Sequence, residues 1–103
     1  MTPPQLTPEQ RAEALKKAAR ARQKRAEVKQ LLKTGSLSMT ELLEEAQADP
    51  MVAGIKVSAV LASMPRTGKI KSKRLMEKLG IAENRRIRGL GERQRAALLQ
   101  EFD

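Results

Sequence analysis

The spacing of apolar side chains in the first third of the chain predicts a long helix with a thin apolar face. At about 100° per residue, Ala14, Ala21, Val28 and Leu32 fall on one narrow stripe. Large apolar side chains occur only near its end, where Leu31 joins Val28 and Leu32. We therefore expect the last two turns to dock on a core, and the turns up to residue 25 to project into solvent. The alternative is an ordinary surface helix held by helix propensity and by charge pairs along its face.

Residues at both ends of this pattern predict a helix over residues 8–33. Thr7 is a candidate N-cap, Pro8 occupies the first helical position, and Gln10 completes a capping box. Gly35 is a suitable residue just after the C-terminus.

The same pattern predicts three parts along the chain. Residues 1–7 form a disordered tail, residues 8–34 a basic helix, and residues 35–103 a compact helical domain.

Short helices are predicted in the remainder. Ser38 and Glu41 repeat the capping box and open a helix through about Ala48, which the pair Asp49-Pro50 ends. Further helices are expected at about 56–64, at about 69–79 with Gly80 and Ile81 after its end, and from residue 92 onward. Their expected inward-facing side chains are Leu42, Leu43, Val57, Val60, Leu61, Met64, Leu75, Met76, Leu79, Ala96, Leu98, Leu99 and Phe102. No stretch alternates polar and apolar residues for long, so we predict an all-α fold.

Charge narrows the range of partners. Lys and Arg number 21 against 12 Asp and Glu, which gives a net charge of +9 and a pI near 10.5. Residues 1–34 and 65–103 each carry a net charge of +6, whereas residues 35–64 carry −3. Such a cationic protein attracts polyanions, which are nucleic acid, an anionic membrane or an acidic partner.

Missing residue types exclude several function classes. The chain has no cysteine and no histidine, which removes zinc fingers, thiolate or imidazole metal sites and histidine-dependent catalytic triads. The acidic residues stand mostly at helix starts, where capping explains them, so we expect no enzyme, no cofactor and no metal. No apolar run approaches the length of about 18 residues that spans a membrane, and no signal-peptide core follows Met1. We expect a soluble intracellular protein.

The segment 64–69 (MPRTGK) is the first candidate site. Pro65 and Gly68 enclose a tight hairpin that opens a helix, where free backbone N–H groups bind phosphate oxygens well. The candidate contacts are Arg66, Thr67, Gly68, Lys69, Lys71, Lys73 and Arg74, with Lys69 and Lys73 on one helix face. An ordinary helical connection with a solvated basic face remains the alternative.

The segment 84–91 (NRRIRGLG) is the second candidate site. Arg85, Arg86 and Arg88 surround Ile87, which we expect to insert into the core and to fix the backbone that presents the arginines. Two further candidates, Gly89 and Gly91, are expected to permit positive φ and close approach of a ligand. The alternative is solvated charge, which leaves the two glycines unexplained. Secondary contacts are assigned to Arg22, Arg25 and Lys29 of the long helix.

These residues resemble a known family. Residues 56–61 (KVSAVL), 65–69 (PRTGK), 76–81 (MEKLGI) and 85–91 (RRIRGLG) closely resemble the actinobacterial integration host factors, and residues 6–11 (LTPEQR) look similar too. The resemblance covers nearly the whole chain in the family's order. It implies a compact domain of helix-two-turns-helix or helix-hairpin-helix type, similar to elements of a DNA-repair glycosylase and a ribosomal protein.

The resemblance also implies a function. Members of the family are nucleoid-associated proteins of the cytoplasm that bind double-stranded DNA with little sequence preference, distort it and constrain supercoils; the founding member assists phage integrase. By position, the arginine motif maps onto Arg85, Arg86 and Arg88. We accordingly expect a monomeric DNA-binding protein that makes no use of membranes and could join a phage integrase complex.

The hairpin departs from the family pattern. Members usually read Pro-Gly-apolar-Gly-Lys here, whereas this chain has Arg66 and Thr67 in the middle. A Cβ therefore stands where the family has none, and we hypothesise that the Arg66 side chain compensates by contacting a phosphate.

Two other functions remain open. A module that binds RNA or associates with the ribosome could grip an RNA backbone with the same helices, although the chain lacks the aromatics that stack on single-stranded bases. An adaptor could use the basic helix to bind a partner protein or an anionic membrane, although its alanine stripe offers little apolar area for insertion.

Overall fold

Six α-helices and one 3-10 turn follow one another in the computed structural model, which describes residues 5–102. The helices are α1 (Pro8–Lys33), α2 (Met39–Ala48), α3 (Pro50–Ala53), α4 (Val57–Ser63), α5 (Gly68–Leu79) and α6 (Glu92–Phe102), and the 3-10 turn is Ile87–Gly89. The described part of the chain contains no strand, only an isolated antiparallel bridge between Lys56 and Arg86. The all-α prediction is confirmed.

Capping residues set the limits of α1 as predicted. The Thr7 Oγ1 accepts the Gln10 backbone N–H at 3.1 Å, and the Thr7 N–H donates to the Gln10 Oε1 at 2.9 Å. Gly35 follows the helix with a φ of 78°. Residues 5–7 precede the helix, residues 1–4 of the predicted tail lie outside the described residues, and the three-part division of the chain stays a prediction.

Only the C-terminal half of α1 contacts the other helices. Every residue from 8 to 20 is exposed, whereas Val28 and Leu32 are fully buried. Lys24 lies toward α2, with its Nζ 3.5 Å from a Glu45 carboxylate oxygen and 3.8 Å from one of Asp49. The predicted projection is confirmed for residues 8–20, but it was wrong up to residue 25, because Ala21 and Lys24 are half-buried and Lys24 already reaches α2.

The prediction that Leu31 belongs to the docking face of α1 is wrong. It was grouped with the docking side chains but is 43% exposed, because it lies about 80° around the helix from the mean direction of Val28 and Leu32.

The core fills the space between the C-terminal half of α1 and the five shorter helices. Its buried side chains are Val28, Leu32, Leu37, Met39, Leu42, Leu43, Val52, Ile55, Val57, Val60, Leu61, Met76, Ile81, Ile87, Leu90 and Leu98. Aliphatic and methionine side chains supply all of it, and Phe102 packs against its edge half-buried.

A short helix that was not predicted follows the predicted break at Asp49-Pro50. The Ser38–Glu41 capping box forms and α2 ends at Ala48 as predicted. The Asp49 Oδ1 then accepts the Met51 N–H at 2.9 Å, so Asp49 caps α3, which buries Val52. The sequence contains this signal, because an aspartate before a proline is a favourable start for a helix.

Helices α4 and α5 pack side by side, joined by the predicted hairpin. The buried hydroxyl of Ser72 donates to the Ser58 carbonyl at 3.3 Å, so a serine lies on the buried face of α5 together with Met76. Leu75 and Leu79 are only half-buried. Gly80 has a φ of 69° and Ile81 is buried behind it, as predicted.

The last helix buries less than the sequence predicted. Leu98 is fully buried and Leu99 and Phe102 are half-buried, but Ala96 is exposed, so its assignment to the buried face was wrong. The short helix lies at the edge of the core, where it covers the core with a narrower face than an amphipathic pattern implies.

Candidate nucleic-acid interface

Two residues with positive φ shape the hairpin between α4 and α5. Arg66 has a φ of 64° and Gly68 one of 68°. The Thr67 N–H donates to the Met64 carbonyl at 3.2 Å, and the Thr67 hydroxyl donates to the Pro65 carbonyl at 3.4 Å. The turn therefore closes on itself and leaves the start of α5 without a side-chain cap.

Free donors mark the N-terminus of α5. The backbone N–H groups of Gly68, Lys69 and Ile70 have no acceptor among residues 5–102. By contrast, α1, α2 and α3 each begin with a capping side chain, whereas α4, like α5, has none. Unpaired N–H groups and the positive end of the helix dipole together favour an anion at this point.

The basic side chains of α5 divide between two flanks of the helix. Lys69 and Lys73 share one flank, as predicted, and face a groove toward α4. Lys71 and Arg74 line a different cleft toward the end of α6. Lys78 also lines that cleft, and its Nζ lies 2.8 Å from a carboxylate oxygen of Glu101.

The groove on the first flank, which we call the lysine groove, is lined by Lys29, Lys56, Lys69, Lys73 and Asn84, with small α4 side chains along its wall. Its four lysines form no ion pair within the described residues, and a single carboxylate, that of Glu83, lies among them. Lys29 thus brings the long helix to this surface.

The two other secondary candidates lie outside this groove. Arg22 and Arg25 are exposed on α1 and line no groove with the hairpin.

Backbone pairing fixes the arginine segment, residues 84–91, against the start of α4. The Val57 N–H donates to the Arg85 carbonyl at 2.9 Å, and the Ile87 N–H donates to the Ile55 carbonyl at 3.0 Å. Ile87 is 2% exposed, so its predicted insertion into the core is confirmed. The segment lies at the opposite end of α4 from the hairpin.

The three arginine side chains of this segment make different contacts. The Arg85 Nη1 donates to the Gly89 carbonyl at 2.8 Å, and the Arg86 Nη1 donates to the Gly54 carbonyl at the end of α3. Arg88 has no hydrogen-bond partner within the described chain and lines a cleft with α2 and Arg95. Each guanidinium has five N–H donors, so all three retain donors for a phosphate.

The positive φ predicted for the two glycines is wrong, since neither has one, whereas their role in close approach of a ligand stays a prediction. The missing side chain of Gly89 also matters for packing, because a Cβ there would stand 3.0 Å from the Cδ of Arg85, closer than an ordinary contact. At Gly91 the nearest atom would be the Gln94 Oε1, at an ordinary 3.8 Å. Gly89 therefore makes room for the Arg85 side chain.

Gln94 supports this segment and was missed from the sequence. Its Oε1 accepts the Gly91 N–H at 3.1 Å, and its Nε2 donates to the Gly80 carbonyl at 2.9 Å. The amide thereby ties the arginine segment to the end of α5. A glutamine three residues after a helix-starting Gly91 is half of a capping box, which was the available signal.

Nothing in the described chain suggests a metal centre or a membrane span. Within residues 5–102, no three carboxylates come together in a way that could hold a metal ion. None of the helices described is both long and apolar enough to cross a bilayer.

Comparison with known proteins agrees with the sequence resemblance. Residues 32–102 match the family model of the S13-like H2TH domain. The chain is 52% identical to the integration host factor of Mycobacterium tuberculosis over 102 residues, which cover 99% of this chain and 97% of that protein. It is also 52% identical to the integration host factor of Streptomyces coelicolor, over 99% of this chain and 95% of that one.

A solved structure extends the likeness to three dimensions. It is described as sIHF bound to an 8 bp palindromic DNA, and it superposes with a TM-score of 0.82 and 48% sequence identity over 85% of this chain and 99% of the other. This chain therefore belongs to the actinobacterial integration host factor family, and its C-terminal two thirds are an S13-like H2TH domain.

Proposed function

We propose that this protein binds double-stranded DNA through its phosphate backbone. The observation that carries the proposal is the start of α5, where three backbone N–H groups without acceptors lie next to the unpaired lysines of the lysine groove. The relative of known structure is described as bound to DNA, which supports DNA as the ligand of this chain.

The proposed contacts form two groups at opposite ends of α4. The hairpin and α5 supply N–H groups and lysines for one stretch of phosphates. The arginine segment supplies guanidinium donors for another, since Arg85 and Arg86 are held in place by their carbonyl partners. Fixed donors lose less side-chain freedom on binding than mobile ones, which favours affinity.

We also propose weak sequence preference. Reading of base edges requires positioned polar side chains on an element in the major groove, and the start of α5 presents mainly lysines and backbone N–H groups. Any preference would then come from how easily the DNA deforms. We accordingly propose a nucleoid-associated architectural role in which the protein distorts DNA, constrains supercoils and assists phage integrase, acting as a monomer without catalysis.

A salt titration on duplex DNA tests the binding proposal. With about six to eight phosphates neutralised, log K should fall against log salt with a slope of about −5 to −7. Failure to bind duplex at physiological ionic strength would refute the proposal. Structured RNA as competitor tests the rival function, since an RNA-binding module would prefer it.

A pair of double variants separates a site from mere net charge. Lys69→Ala with Lys73→Ala removes two cations from the lysine groove, whereas Lys16→Ala with Lys17→Ala removes two from the exposed part of α1. We expect the lysine-groove variant to reduce the magnitude of the salt slope by about 1.8, and the α1 variant to change that magnitude much less. Equal losses would mean that binding follows total charge and that the groove is not the site.

A further inference from the structure

Ile70 is exposed where the fold does not require an apolar residue. It is 72% exposed, compared with 66% for Leu15, 53% for Leu6 and 43% for Leu31, the other exposed large apolar side chains within residues 5–102. A single exposed apolar side chain needs no partner by itself, but Ile70 lies among the cations of the candidate interface.

The position of Ile70 on α5 directs its side chain away from the core. At about 100° per residue, Ile70 lies roughly opposite the face that carries the buried Ser72 and Met76. It is the third residue of the helix, in the turn whose backbone N–H groups are free.

Cations lie on both sides of Ile70 on the exposed face of α5. Lys69 and Lys73 occupy the flank toward the lysine groove, and Lys71 and Arg74 occupy the other. Two rows of cations with an apolar residue between them match a DNA groove, which has a phosphate strand on each side and base and sugar edges between. Neither a flat anionic surface nor a single phosphate would require that order.

We propose that Ile70 enters a groove of the bound duplex and wedges against a base step, so that it is the residue through which this protein distorts DNA. The inference rests on the proposed function, because it places Ile70 at the same DNA interface. An apolar side chain driven between base pairs partly unstacks them and kinks the duplex. The cations on the flanks hold the two strands while the wedge opens the step.

The test compares Ile70→Ala with Leu15→Ala, a matched loss of apolar side chain at a similarly exposed helical position outside the site. Three quantities are measured on one duplex: affinity across salt, end-to-end distance by fluorescence energy transfer, and fluorescence of 2-aminopurine in the duplex as a report of unstacking. Melting curves check the fold, and since both side chains are exposed, neither substitution should lower stability. Ile70→Met, which keeps an apolar side chain of similar length, should restore the distortion.

We expect Ile70→Ala to bind about tenfold more weakly with an unchanged salt slope, and to lose both the distance change and the 2-aminopurine signal. Leu15→Ala should behave like the parent protein. If Ile70→Ala binds and distorts DNA as the parent protein does, the wedge role of Ile70 is refuted while the DNA-binding proposal stands. The same conclusion follows if Ile70→Ala reduces the magnitude of the salt slope, because that would indicate lost phosphate contacts. If the parent itself fails to bind duplex, the proposed function fails first.

Discussion

Arg66 departs from the family pattern that the sequence resembles, and its backbone conformation should have a measurable effect on stability. Its φ of 64° lies in the left-handed region, which glycine enters freely. For other residues that region costs about 1–2 kcal/mol, because Cβ approaches the following carbonyl oxygen. The family pattern that the sequence resembles has glycine at this position, so we expect the arginine side chain to supply a benefit that compensates for this cost.

Two substitutions separate the backbone cost from the charge. Arg66→Ala removes the guanidinium and keeps the strain, whereas Arg66→Gly removes both. Glycine also widens the unfolded ensemble, which offsets about 0.4–1 kcal/mol of the strain relief. We therefore expect Arg66→Gly to be more stable than Arg66→Ala by up to about 1 kcal/mol, which corresponds to a melting temperature a few degrees higher.

The same two variants test the phosphate contact. If Arg66 neutralises one phosphate, both should reduce the magnitude of the salt slope by about 0.9, because both lose the same charge. Thermal unfolding and a salt titration of binding give the two readouts. A glycine variant that melts at a lower temperature than the alanine variant would refute the strain argument, and a parental slope in both would rule out a direct contact.

Three further predictions concern the arginine segment and the cap of α3. Gly89→Ala should displace the Arg85 side chain from the Gly89 carbonyl, because the new Cβ would stand 3.0 Å from the Arg85 Cδ, and should weaken DNA binding by about fivefold. The control Gly91→Ala should bind DNA with the parental affinity, and equal affinities of the two variants in a gel shift would refute the packing role of Gly89. Replacing Arg85, Arg86 and Arg88 together by alanine should abolish DNA binding at physiological salt. The free energy of unfolding should fall by only about 1 kcal/mol, because water can replace the arginines as hydrogen-bond donors to the two exposed carbonyls. Retained DNA binding would show that the arginine segment is not part of the interface. Asp49→Ala should lower the free energy of unfolding by about 1 kcal/mol because α3 loses its cap, and unchanged urea unfolding would contradict this.

The elements that the sequence predicted best are those with local end signals. Thr7 with Gln10 and Ser38 with Glu41 each satisfy backbone groups within three residues, so their capping boxes need no tertiary structure to form. Ile87 was also predictable, because an isolated apolar residue within a basic run has few alternatives to the core. Local hydrogen bonding and burial determine all of these positions.

The features that sequence reasoning missed depend on side-chain contacts that hydrophobic periodicity does not encode. Gly89 was assigned a positive φ, but it has none, and its missing side chain leaves room for the aliphatic part of Arg85, four residues away. The buried hydroxyl of Ser72 finds its acceptor on α4, fourteen positions away. Such pairings depend on how helices pack, and periodicity along one helix does not contain that information.

The structure also decides which cations are available, which charge counts along the chain do not reveal. Within residues 5–102 the ion pairs use Lys16, Lys24 and Lys78, and two of these pairs join separate helices. The lysine groove, by contrast, holds four lysines without an acidic partner bound to them. Unpaired like charges repel one another in the free protein, so their clustering is unfavourable for folding and favourable only when a polyanion covers it. A surface that costs stability in the free state and lies beside free helix N–H groups is therefore best explained by the phosphates that it would bind.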